Sequence, residues 1–170
     1  MRIEEIEKIR DLEFERLKKE YVFAGNEDGD LEILGRKFIF MGSDYFMADF
    51  FILLQRMVGE GAGGILYNAG YKIGEKYATI QKFSGSLEET IGKFFGFLKF
   101  CGYSELKFMD ENRIGAIASP TAIAFRKKYV GKKDMTCYYL AGLLAGFLSK
   151  VMGKKVEVKE VKCIAMGNKF

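Results

Sequence analysis

The 170 residues contain no histidine and no tryptophan, a single proline and three cysteines. Without histidine there is no Ser–His or Cys–His nucleophile pair, no imidazole metal ligand and no usual proton shuttle near neutral pH. Any metal must therefore be held by thiolate, carboxylate or water, and thiolate in a tetrahedral set favours zinc over magnesium or calcium. An odd number of cysteines suits a reducing cytosol better than a disulfide framework, so a cytoplasmic location is expected. One proline, Pro120, excludes a long Pro-rich linker, and no low-complexity segment or internal repeat is visible. Long apolar runs are missing too. The longest, Tyr45 to Leu54, contains Asp49 and is too short to span a bilayer, and MRIEEIEKIR at the start has no apolar signal core. Neither sign of charge dominates: 27 basic and 23 acidic residues are interspersed, for a net charge of +4. That balance argues against nucleic acid as the main partner.

What is present is apolar and aromatic. Hydrophobic residues make up 49% of the chain, with 16 Phe, 9 Tyr and 8 Met, enough for a sizeable core in one domain spanning 1–170. Ile3 to about Tyr21 reads as a charged helix with an imperfect apolar stripe of Ile3, Ile6, Leu17 and Tyr21, laid on the core or used as a dimer contact. Asn26 to Asp30 (NEDGD) is a turn without the spacing of a calcium loop. Leu31 to Met41 is a hairpin around Gly35, which completes an N-terminal section of 1–42. Ser43 can cap a helix, DYFMADFFILLQRMV, that is apolar on most sides and so buried. GEGAGG, Gly59 to Gly64, lacks the GK[ST] of a phosphate loop and reads as a helix break with close backbone packing. A helix from Ile65 to Gln81 follows, with Leu66, Ala69, Ile73 and Tyr77 inward. Ser86 and Glu89 form a capping box for a helix reaching about Cys101, in which Gly92 and Gly96 are small packing residues. Cys101 is expected to be a packed core thiol. Tyr103 to Met109 and Arg113 to Ala118 alternate as strands, Thr121 to Phe125 is a short strand or turn, and RKKYVGKKD is a basic loop. Strands in runs, with helices segregated from them, argue an α+β class with an antiparallel sheet and packed helices.

The stretch Cys137 to Cys163 carries the most chemistry. Cys137, Leu140, Leu144, Phe147 and Val151 form one helical stripe, while Gly142 and Gly146 suggest close contact with another backbone. Thr136 or Asp134 can cap this helix, and Gly153 follows its last turn. VEVKEVKC then alternates as a strand whose apolar phase slips around Lys159 and Glu160. A β-bulge there would let Glu160 and Cys163 converge, with Cys137 meeting them from the helix start. Two packed thiols beside an ordinary carboxylate and a metal clip are both compatible with these residues.

The pattern C-x4-G-x3-G from Cys137, followed by E-x-x-C from Glu160 and a glycine turn, resembles the 4-vinyl reductase (hydrocarbon-binding) domain family. LLQRMVGEGAGGILYNAGYKIG, Leu53 to Gly74, resembles the family's earlier helical half, so the resemblance spans roughly 43–170. It implies a fold similar to the small TRAPP-type vesicle-tethering subunits, and a homodimer. It implies zinc ligands at Cys137, Glu160 and Cys163, with the family's fourth position falling just past Phe170. Three ligands would leave the fourth place to water or another group.

The resemblance also implies binding of a small apolar or aromatic compound between helices and sheet. Apolar pockets with few polar groups suit the aromatic excess, and the chosen candidates are Phe46, Phe50, Leu54, Tyr67, Tyr71, Phe94 and Ile114. Phenol-type sensors in the family use His or Trp in the pocket, and this chain has neither, so a more uniformly apolar ligand such as a lipid or hydrocarbon is expected. A sensory or carrier module is the favoured function, acting through an effector protein because no DNA-binding or ATPase module is attached. An enzyme or enzyme accessory of reductase type is less favoured, lacking a dinucleotide fingerprint and an acid–base pair. A ligand-free assembly subunit is the third reading.

Overall fold

A computed structural model describes residues 1–21, 31–38, 42–80, 83, 85–117 and 119–168. The turn expected at Asn26–Asp30, the end of the first hairpin and the capping side chain of Ser43 lie outside the described residues and side chains. The chain divides into two units, Met1–Met41 with Gln81–Ala116, and Gly42–Ile80 with Ile117–Phe170. The class is α+β: six α-helices and two small two-stranded sheets among the described residues.

The first unit holds α1 (Ile3–Glu20), β1 (Leu31–Ile33), β2 (Arg36–Phe38), and, after the second unit's α2 and α3, α4 (Leu87–Phe100), β3 (Glu105–Asp110) and β4 (Arg113–Ile117). β1 and β2 pair antiparallel with Leu31 opposite Phe38. α4 begins where expected: Glu89 N donates to Ser86 Oγ (3.2 Å) and Ser86 N to Glu89 Oε2 (2.7 Å), a complete capping box. α1 lies against α4 where Gly92 and Gly96 remove side-chain bulk. A Cβ on Gly96 would stand 2.6 Å from the Arg10 carbonyl oxygen. The buried line of α1 is Ile6, Arg10, Glu13 and Leu17 rather than the expected Ile3, Ile6, Leu17 and Tyr21. Charge can occupy that line because it is satisfied there. Arg10, 3% exposed, donates to the Leu106 carbonyl (2.7 Å) and to Asp11, and Glu13 accepts from Arg16 (2.8 Å). Phe83 packs edge-on to Phe94 (5.9 Å) and near Phe97 (5.6 Å) in the aromatic core.

The second unit holds α2 (Asp49–Val58), entered through a wide π-helical turn at Ser43–Ala48, then α3 (Gly61–Tyr77), α5 (Pro120–Lys128) and α6 (Tyr138–Met152). Gly59 breaks the chain between α2 and α3 at φ +62°, where glycine alone is unstrained. α3 and α6 meet backbone to backbone. A Cβ on Gly142 or Gly146 would sit 2.0 Å from the carbonyl oxygen of Tyr67 or Tyr71, and one on Gly70 or Gly74 about as close to Tyr139 or Leu143. This glycine contact corrects the expected face of α3: Leu66 is buried, but Ala69 and Ile73 are exposed and Tyr77 is only partly covered. The inward line is Gly63, Leu66, Gly70 and Gly74, because α6 approaches where there is no side chain.

Two further expectations are corrected. Residues 121–125 are not a strand or turn; Pro120 takes the first position of α5, where its missing N–H costs nothing. VEVKEVKC is not a bulged strand. Residues 155–163 run extended without ladder partners among the described residues. Their polar groups go to side chains instead: Val156 N donates to Ser149 Oγ (2.8 Å), Ser149 Oγ to the Val156 carbonyl (3.2 Å), and Val158 N to the Tyr67 hydroxyl (3.4 Å).

Candidate functional site

α6 begins at Cys137 without a cap from its own neighbourhood; neither Thr136 nor Asp134 fills that role. The cap is Glu160, whose Oε2 accepts the Cys137 backbone N–H at 3.0 Å. Gly153 ends the helix in the left-handed region (φ +64°), as expected, and turns the chain back. Residues 155–163 then lead back to the start of α6. Cys163 opens a single 3-10 turn, Ile164–Met166, whose carbonyl and amide ends Asn168 holds. Asn168 Oδ1 accepts the Cys163 N–H (3.2 Å) and Asn168 N donates to the Cys163 carbonyl (3.3 Å). The convergence expected of Cys137, Glu160 and Cys163 is thus achieved by an irregular segment rather than by a bulged strand.

The Sγ atoms of Cys137 and Cys163 and a carboxylate oxygen of Glu160 all lie within 4.8 Å of one another. Cys163 is 2% exposed; Cys137 and Glu160 are partly covered. Two buried hydroxyls attend the sulfurs: Ser119 Oγ at 3.5 Å from Cys137 Sγ and Thr136 Oγ1 at 3.6 Å from Cys163 Sγ. The Cys137 thiol, donating toward the other sulfur, depresses the Cys163 pKa, with help from Glu160 and Thr136. The same contact, then burial, raises Cys137. Burial, then the neighbouring Cys163, pushes the Glu160 carboxyl up to about 7. The group therefore holds negative charge that has lost much of its water, which a cation would compensate. A tetrahedral zinc site has ligand atoms about 3.3–3.8 Å apart, so small side-chain rotations would close this set on one ion. The donor chemistry, two sulfurs and one carboxylate, fits zinc.

The structure does not bring the seven ligand-pocket candidates to one place. Phe46 and Phe50 stack in parallel, with centroids 5.5 Å apart and planes 2° apart, on an open groove of about 550 Å³. Leu54 packs against the core of the second unit, beside Phe51, Phe125 and Leu66. Tyr67 and Tyr71 lie on the α3–α6 contact through their carbonyls. Phe94 is a fully buried core ring of the first unit, and Ile114 is half-buried on β4. Asp49, Arg56 and Tyr129 line the same groove as Phe46 and Phe50 and were not singled out for it; the signal was a carboxylate and an arginine on the stripe that carries the two rings. Cys101 is the packed thiol expected, its pKa pushed up to about 12 by burial. Among the described residues no helix is long and apolar enough to cross a membrane.

The fold defines the class first. The chain is similar to the crystal structure of the phenol-responsive sensory domain of the transcription activator PoxR with phenol. The TM-score is 0.78 at 16% identity, over 94% of this chain and 85% of that one. The resemblance to the 4-vinyl reductase family is borne out in sequence: residues 123–170 match the 4-vinyl reductase domain and place this part of the chain in that family. Two relatives come from Methanocaldococcus jannaschii. Uncharacterized protein MJ0150 is 30% identical over 112 residues, 66% of this chain and 63% of its own length. Uncharacterized protein MJ1460 is 31% identical over 100 residues, 57% of this chain and 58% of its own. The chain thus spans less than two thirds of either relative.

Proposed function

We propose that this chain is a sensory or carrier module for a small apolar ligand, and that a structural zinc ion held by Cys137, Glu160 and Cys163 clips its C-terminal segment to the start of α6. The observation that carries the zinc reading is the meeting, within 4.8 Å, of three donor atoms from two distant parts of the chain. Support for the sensory reading is the fold shared with a phenol-responsive domain and the match to the 4-vinyl reductase domain.

The zinc ion would supply a fixed positive charge between the two sulfurs and the carboxylate. This chain's residues do the rest. Ser119 and Thr136 hold the sulfurs, the Asn168 turn fixes Cys163, and the Cys137 N–H keeps one Glu160 oxygen oriented. Three protein ligands leave one place for water or a fourth group. With no acid–base partner among the described neighbours, the clip is read as structural. The working unit is a homodimer that reports ligand occupancy to a separate effector protein.

Native mass spectrometry of freshly purified protein tests this reading. A dimer whose subunits each release one small apolar molecule and one zinc ion on denaturation is the expected result. A stable species with neither adduct, even after incubation with apolar compounds, would speak for an assembly subunit instead.

A further inference from the structure

We propose that the open groove on α2 binds small amphipathic monocarboxylates: one ring, or a chain of about eight carbons, ending in a single carboxylate. The proposal deepens the ligand-binding reading above and rests on it. The groove, about 550 Å³, falls in the size range of small-molecule sites. Its apolar wall is the parallel pair Phe46 and Phe50, one turn apart and each 40% exposed, continued by Leu53 and faced by the Tyr129 ring. Two such rings left facing solvent offer a flat surface for an aromatic or acyl body.

The charges choose the headgroup. Asp49 also lines the groove, but both its oxygens are engaged: Lys128 Nζ donates to Oδ2 at 2.5 Å, and the Tyr129 hydroxyl donates to Oδ1. The Lys128 bond, then the Tyr129 bond, lowers the Asp49 carboxyl pKa, so it stays ionised and neutralised by Lys128. Arg56 has no such partner. It is exposed on the groove and makes no ion pair or hydrogen bond to any described residue. One positive charge is therefore left over, and it sits two helical turns from Asp49, about 10 Å along α2. A guanidinium pairs with a carboxylate through two parallel hydrogen bonds, while the ligand's apolar body lies along Phe50 and Phe46. A neutral ligand leaves this cation unused, a cationic one is repelled by it, and a dianion exceeds it.

Isothermal titration of the full chain with octanoate and with 1-octanol tests the inference. Octanoate is expected to bind saturably and more tightly than octanol. Arg56→Gln, at an exposed position, is expected to weaken octanoate by roughly tenfold or more and leave octanol unchanged. Arg56→Lys is expected to restore part of the loss, and Phe50→Ala to weaken both compounds alike. Octanoate binding that is unchanged in Arg56→Gln would overturn the inference, as would failure of octanoate to bind. Octanol binding without octanoate binding would overturn it while leaving the apolar-ligand reading intact.

Discussion

The backbone N–H of Cys137 donates to the side chain of Glu160 across 3.0 Å, so the first turn of α6 is capped by a residue 23 positions later. Glu160 therefore has two separable roles, helix cap and metal ligand. Glu160→Ala is expected to cost about 1 kcal/mol in metal-free protein, the usual loss for a missing N-cap. Glu160→Gln keeps an acceptor oxygen but no charge. It is expected to stay near wild type without metal and to lose most of the stabilisation that zinc adds. Urea denaturation of chelated and zinc-loaded samples separates the two effects.

Zinc binding should tighten as pH rises. The metal takes deprotonated ligands, and the Glu160 carboxyl holds its proton up to about 7 when metal-free. Below that point a proton competes with the ion; above it the competition fades. Competition titrations against a chelator of known affinity, from about pH 6 to about pH 8, should show apparent affinity increasing with pH. Proton release on binding should be largest at the acidic end. A flat profile would remove Glu160 and the thiols as ligands.

The α3–α6 contact depends on missing side chains. Gly146→Ala places a methyl 2.0 Å from the Tyr71 carbonyl oxygen, and overpacking of this kind costs about 1–3 kcal/mol. Gly64→Ala, in the same helix pair, meets nothing within 4 Å and should be neutral or stabilising by about 0.5–1 kcal/mol. Denaturant midpoints of the two variants should move in opposite directions.

Cys101 should be chemically quiet. Burial raises its pKa to about 12, so the thiol stays protonated, and alkylation in the folded state should not accelerate between about pH 7 and about pH 9. The sign of the stability effect follows from the same shift. The folded pKa lies above the unfolded one, so the contribution is complete below the unfolded value of 9.0 and is lost as pH climbs toward 12. Cys101→Ala should blunt that alkaline loss and leave zinc content unchanged.

Local signals were legible in the sequence: the Ser86–Glu89 capping box, the Gly153 stop, the break at Gly59 and the small residues Gly92, Gly96, Gly142 and Gly146 all act as their chemistry suggests. The metal triad was legible as a set, Cys137, Glu160 and Cys163, but its route was not. Alternation in VEVKEVKC signals a strand only if a partner edge exists, and Ser149 and Tyr67 take the hydrogen bonds instead. The inward face of α3 was misjudged because apolar periodicity scores Ala69 and Ile73 above glycine, whereas the contact with α6 selects for absence of bulk. Arg10 and Glu13 were invisible to the same reasoning, since a charge reads as solvated until its partners are known. The pocket residues scattered for a related reason: aromatic content shows that rings must be packed somewhere, and Phe94 is packed among its own kind.

The most direct test is the metal content of the protein, purified without chelator or affinity metal and measured together with its melting temperature before and after chelation. One zinc per chain, a lower melting temperature once it is stripped, and absence of zinc from Cys163→Ser are expected. Metal-free protein that melts at the same temperature with and without added zinc would contradict the clip.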